Sequence, residues 1–164
     1  MGQFSVREYC EEDEDDLIAI HDLARPVELQ GSCDPRAFVP LRDDAKDLNE
    51  FRACRKLVAI GNGKIRGFVG IGDFEIGWLY VRPDSSRLGI GRRLLSRAMA
   101  LIQEDNSSGT AVSVFVLEAN KPAITLYESK GFRITETFTS KNNGYPCKVH
   151  KMLSDYNLNC EITE

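Results

Sequence analysis

The sequence predicts a mixed α/β domain. Three observations carry that expectation. Strand-like and helix-like runs follow one another along nearly the whole chain. In its middle, a strand ("FEIGWLYV", 74–81), a helical stripe and another strand ("TAVSVFVLE", 110–118) make one clear crossover. With 164 residues, 42% apolar and 28% charged, the chain is sized and composed for a single buried core.

The elements are justified in order. Residues 3–9, "QFSVREY", alternate and read as a first strand. Residues 11–24 open with acids that suit a helix N-terminus, and Leu17, Ile18, Ile20 and Leu23 form its expected buried stripe. Pro26 is expected to end that helix. Residues 27–50 are the least regular part, with a polar, helix-capable run "RDDAKDLNEF". "KLVAIGNGKIRGFVGIGDF" reads as strand, turn, strand, with Gly61-Asn62-Gly63 as a hairpin signal. The strand at 74–81 is closed by Pro83. From Gly89 to Glu104, apolar residues recur at helical spacing. Asn120 caps a further helix, with Pro122 in its first turn and Gly131 past its end. "FRITETFTS" and "CKVHKML" are final strands joined by the turn-rich "KNNGYP". The expected count is seven strands and about four helices. The domain is expected to span 1–153, with 154–164 a loosely held tail.

Composition narrows the function classes. The net charge of −4 argues against a broad nucleic-acid face and is compatible with cationic substrates. Five scattered cysteines without close pairs argue against a disulfide framework and against a zinc site, and a reducing cytoplasm fits them best. No apolar run reaches the roughly 18 residues of a membrane span. The first ten residues carry no signal-peptide pattern and lack the myristoylation serine or threonine.

The stretch "VRPDSSRLGIGRRLL" carries the chemistry. Amides at a helix start attract anions, and Gly89 and Gly91 would let a phosphate approach the backbone. Arg87, Arg92 and Arg93 add positive charge there. On the pair alone, a plain turn is as good a reading. The Walker pattern fails because Arg92 and Arg93 follow Gly91. The dinucleotide fingerprint fails because Leu94 stands where a small residue is needed.

With its flanking strand and helix, "LYVRPDSSRLGIGRRLL" resembles the signature of the GNAT superfamily of N-acetyltransferases, Gln/Arg-x-x-Gly-x-Gly/Ala between a strand and a helix. "EANKPAITLYESKGF" is similar to the family's next segment: an Asn opening a helix, a Tyr seven residues on, and a Gly-Phe after it. The two matches cover about a third of the chain. One position departs: Ser86 stands where Gln or Arg is usual.

The resemblance implies a largely antiparallel, twisted mixed sheet split between its two central strands. It implies acetyl-CoA as cosubstrate and no metal. Coenzyme A pyrophosphate would meet the amides of Arg87, Leu88 and Gly89, then those of Ile90, Gly91 and Arg92. The pantetheine arm would pair with Leu79, Tyr80 and Val81 as an added strand. Asn120 would contact the cofactor. Tyr127 falls on the family's general-acid tyrosine, and a phenol of pKa about 10 stays protonated at neutral pH. A backbone amide near Leu79 or Tyr80 is expected to stabilise the carbonyl oxygen. Glu75 is the candidate base, with Asp73 a weaker neighbour and a water chain still open; Phe115 occupies the place of an alternative family glutamate.

The expected reaction is acetyl transfer to a primary amine by direct attack in a ternary complex. A non-catalytic acyl-CoA sensor is the rival. The acceptor is a small molecule or peptide amine, with no nucleic acid or membrane partner, and a homodimer is common in such folds. Specificity is expected to lie in 24–50 and 138–147, where Glu28, Asp34 and Asp43 are candidate pocket acids. His21, His150 and Trp78 read as structural, and Cys147 needs no acyl-enzyme role.

Overall fold

The computed structural model describes residues 3–154. Its strands are β1 (Phe4–Glu8), β2 (Arg55–Gly61), β3 (Lys64–Gly72), β4 (Glu75–Val81), β5 (Ser113–Leu117), β6 (Phe132–Asn142) and β7 (Tyr145–Ser154). Its helices are α1 (Glu14–Leu29), α2 (Ala45–Ala53), α3 (Ile90–Glu104) and α4 (Lys121–Glu128). One sheet holds the strands in the order β1-β2-β3-β4-β5-β7-β6. Every neighbouring pair is antiparallel except β4 and β5, which are parallel and meet at only two residue pairs, Glu75–Ser113 and Ile76–Val114. The sheet is therefore mixed, mostly antiparallel and split at its centre.

Side-chain alternation distributes the core over both faces. On β2, Leu57 and Ala59 pack with α3, while Val58 packs with α1 and α2. On β3, Val69 and Ile71 join the first group and Phe68 the second. A strand covered on both faces has no polar side, which is why β3 reads as an almost continuous apolar run. The β2–β3 turn places both Asn62 (φ 53°) and Gly63 (φ 72°) in the left-handed region, as a two-residue hairpin requires.

Three expectations need correction. Pro26 lies inside α1 and does not end it. A mid-helix proline costs about 3 kcal/mol. That cost is offset because the last turn is anchored: Leu29 is buried against Leu117 and Val149, and Arg25 pairs with Glu28 at 3.0 Å. Leu23 is 51% exposed. At about 100° per residue it falls roughly 240° around the helix from Leu17, off the stripe that Ile20 and Leu17 define. His21, at roughly 40° from Leu17, sits in the middle of that stripe and is 4% exposed.

The third correction concerns the cysteines. Cys33 and Cys147 form a disulfide, with Cα atoms 5.0 Å apart across a separation of 114 residues. Linear spacing could not reveal it, because the fold brings the segment after α1 onto β7. The cysteine argument for a reducing compartment falls with it. No helix among the described residues is long and apolar enough to cross a membrane. β7 includes Ser154, whose hydroxyl accepts the Val112 N–H at 3.0 Å; the expected tail at 155–164 lies outside the described residues.

Candidate functional site

The split in the sheet creates the site. The Arg82 N–H donates to the Arg66 carbonyl at 2.8 Å, so residue 82 faces β3. Strand alternation then turns the N–H and C=O of Val81 and Leu79 the other way, into the gap left by β5. They form an open strand edge in the interior of the sheet.

α3 begins at this gap. Its N-cap, Gly89, is left-handed at φ 79°, ψ 10°. A Cβ there would meet nothing within 4 Å, so the approach to the helix start is open. The first bond of the helix ladder runs from the Arg93 N–H to the Gly89 carbonyl at 3.1 Å. The amides of Ile90, Gly91 and Arg92 precede it and have no intrahelical acceptor. They border a groove of about 670 Å³.

The walls of that groove come from four elements and the loop before α3. Leu79, Tyr80 and Val81 line it from β4, Ser86, Arg87 and Gly89 from the loop, and Ile90, Gly91 and Arg92 from α3. Asn120 and Tyr127 line it from α4, and Glu28 from α1. Leu88, also expected at the site, is exposed and does not line the groove. Ser86, the residue that departs from the signature, stands in the wall beside Arg87.

α4 is built to hold its two site residues. The Asn120 Oδ1 accepts the Ala123 N–H at 3.4 Å, which fixes the helix start. Two turns on, Tyr127 is 7% exposed, its ring 5.6 Å from that of Phe132. Its hydroxyl has no hydrogen-bond partner among the described residues. Burial pushes the phenol well above its ordinary pKa, and the Glu28 carboxylate pushes the same way. Tyr127 therefore keeps its proton at neutral pH.

A second cavity of about 380 Å³ adjoins the groove. Glu28 and Tyr80 line both. Tyr80 is deeply desolvated, which with the Glu28 carboxylate raises its phenol well above the ordinary value, while Arg25 opposes them. Around the cavity stand Asp47 and Glu50 from α2 and Glu75 from β4. Trp78 and Phe115 give aromatic walls. Trp78, expected in the core, does both jobs: it packs on Phe51 at 5.7 Å and faces the cavity.

Of the other candidates, Asp73 lines a separate cavity from the one that Glu75 lines. Asp34 is held by Arg36, Asp43 is exposed, and Cys147 is buried in the disulfide. His150 bonds Thr137 through Nδ1 at 2.7 Å. Of the three candidate pocket acids, only Glu28 lines the groove and the second cavity, and the sequence does not single it out from Asp34 and Asp43. Once Pro26 was read as a helix end, position 28 looked like loop. The available signal was the i,i+3 pair Arg25/Glu28 with apolar Leu29 beside it.

Residues 52–134 match the acetyltransferase (GNAT) domain family. The L-amino acid N-acyltransferase MnaT of Escherichia coli is 36% identical over 89 residues, covering 48% of this chain and 50% of that protein. The chain thus spans about half the length of this curated relative. Among solved structures, a GCN5-related N-acetyltransferase from Rhodopseudomonas palustris superposes with a TM-score of 0.82 at 21% identity, over 94% of this chain and 97% of that one. The yncA protein of Salmonella typhimurium, solved with its cofactor acetyl-CoA, gives 0.71 at 18% identity, over 96% of each chain. At such identities the structures speak for the fold.

Proposed function

The chain belongs to the GNAT acetyltransferase family, and from that premise we propose that it moves an acetyl group from acetyl-CoA to a primary amine, with both substrates bound at once. The observation that carries this reading is the shared wall: Glu28 and Tyr80 border both the groove and the second cavity. A thioester in one and an amine in the other would be held at reacting distance without diffusing apart.

The groove suits coenzyme A. Free amides at a helix start, the open space before Gly89 and the charges of Arg87 and Arg92 suit a pyrophosphate. The unpaired edge at Leu79 and Val81 suits an extended pantetheine arm added as a strand. The acetyl-CoA in the yncA structure supports the same assignment. The name of the Escherichia coli relative supports an amine acceptor.

Acetyl-CoA supplies an activated acyl thioester. The amine nitrogen bonds to the acyl carbon, the C–S bond breaks, and one proton leaves nitrogen while one reaches sulfur. Tyr127 donates the proton to sulfur, and the Leu79 N–H faces the gap where charge develops on the carbonyl oxygen. Glu75 lies four residues before Leu79, about 13 Å along the strand. It takes the amine proton through water. The domain that does this runs through Ser154.

Tyr127→Phe tests the reading directly. It should lower kcat by about a hundredfold or more, while the Kd for acetyl-CoA changes less than about twofold. Loss of acetyl-CoA binding would overturn the acid assignment. Acetyl-CoA binding without thiol release across a broad amine panel would make the domain a sensor.

A further inference from the structure

The second cavity carries more negative charge than a neutral monoamine needs. Four carboxylates line it: Glu28, Asp47, Glu50 and Glu75. Its one guanidinium, Arg25, is already committed, with Nη1 3.0 Å from Glu28 and Nη2 donating to the Asn142 Oδ1 at 2.8 Å. Asp47, Glu50 and Glu75 have no ion-pair partner among the described residues. Burial and the neighbouring Asp44 and Glu50 carboxylates raise the Asp47 pKa, with Arg25 and Lys46 opposing them.

A second, independent feature faces the same space. His21 lines the cavity and is 4% exposed, its ring held edge-on between Trp78 at 5.7 Å and Tyr80 at 5.1 Å. Its Nδ1 lies 2.9 Å from the Asp22 Oδ1, which also accepts the Leu41 N–H at 3.0 Å. A ring that donates from Nδ1 to that carboxylate carries a lone pair on Nε2. Nε2 has no partner among the described residues. Nε2 is not sealed in the core but open to the cavity, where a ligand N–H can donate to its lone pair. Aromatic faces beside it favour a cation.

We propose that the acceptor is an aliphatic diamine or polyamine. One amine reacts at the junction beside Glu28 and Tyr80, and a second ammonium group sits among Asp47, Glu50 and the His21 imidazole. This rests on the acetyl-transfer reading above and adds the chemical class of the acceptor. The unpaired acids also disfavour the α-carboxylate of a neutral amino acid, so the chain would differ in preference from an L-amino acid acyltransferase.

The test is thiol release from acetyl-CoA with 1,4-diaminobutane, spermidine, 1-aminobutane and L-methionine as acceptors. The expected result is a kcat/KM for the two polycations about tenfold or more above that for 1-aminobutane, carried by KM. The advantage should shrink as salt rises from 0.02 to about 0.3 M. Asp47→Asn with Glu50→Gln should collapse the diamine-to-monoamine ratio toward one; neither side chain caps or pairs with another element, so the fold survives. If 1-aminobutane or L-methionine is used as well as the polycations, the polyamine inference fails while acetyl transfer stands. If no amine releases thiol although acetyl-CoA binds, the transfer reading fails and the inference with it.

Discussion

Arg7 and Asp13 meet where β1 hands over to α1, and they show what one residue pair does for this fold. Arg7 donates to both Asp13 oxygens, at 2.7 and 2.9 Å, and the Cys10 N–H donates to the same carboxylate at 2.9 Å. The Arg7 guanidinium holds the Asp13 carboxyl down to about 2. Because the folded value is depressed, the stabilisation is complete above the unfolded value of about 4 and is lost as pH falls through about 2. Asp13→Asn should therefore cost about 2 kcal/mol in urea unfolding at pH 7, and the gap to the unmodified chain should close as pH drops from 4 to 2. A gap that stays constant over that range would show that the carboxylate charge is not the source. At this scale, legibility followed sequence locality. Asn120 and Tyr127 were readable because a cap and a residue two turns later lie within one short segment. Glu28 stood in the sequence only as one of three candidate pocket acids and His21 as a structural residue, because their meaning comes from what α1 packs against: a helix histidine surrounded by apolar residues does not announce that Trp78 and Tyr80 will hold its ring.

At the scale of elements, helix boundaries decided what could be foreseen. The start of α3 was readable from Gly89, Gly91 and the apolar stripe behind them, since amides at a helix start follow from backbone geometry alone. The end of α1 was not, because the proline penalty is local while the packing of Leu29 that offsets it is tertiary. That extra turn carries Glu28 to the meeting of groove and cavity. α2 is positioned by a less visible device: the buried Lys56 Nζ donates to the Phe51 carbonyl at 2.5 Å and the Cys54 carbonyl at 2.9 Å, tying the helix C-terminus to β2. For α3, the left-handed N-cap supplies the prediction. Gly89→Asn keeps a residue type that tolerates φ near 79°, whereas Gly89→Val places a β-branched side chain there. Gly89→Val should weaken acetyl-CoA binding about tenfold or more by calorimetry, and Gly89→Asn markedly less. Equal affinities for the two variants would show that the conformation at residue 89 does not set the groove.

At the scale of the whole molecule, the sheet is two sub-sheets, β1 to β4 and β5-β7-β6, that touch through two residue pairs. The split opens the site, and it leaves the shared core around α3, rather than backbone pairing, to join the halves. The segment after α1 crosses back over the gap and rejoins them. Asn143 donates to the Ala37 carbonyl at 2.7 Å, the Ala119 N–H donates to the Ser32 Oγ at 2.9 Å, and the Cys33–Cys147 disulfide locks the crossing. None of this was legible in the sequence, since both cysteines are ordinary until the chain is folded. The crosslink closes a separation of 114 residues, long enough for loop entropy to contribute about 2–4 kcal/mol. Dithiothreitol should therefore lower Tm by roughly 5–15 °C, and Cys147→Ser should start at the lower Tm and respond to reductant hardly at all. The groove amides and the Leu79–Val81 edge stand wholly on the first sub-sheet and α3, so acetyl-CoA affinity should survive reduction. Tyr127 stands on α4 and Glu28 on α1, on opposite sides of the crossing, so kcat should fall. If reductant moved the Tm of Cys147→Ser as far as that of the unmodified chain, the bridge would not be the source of the shift.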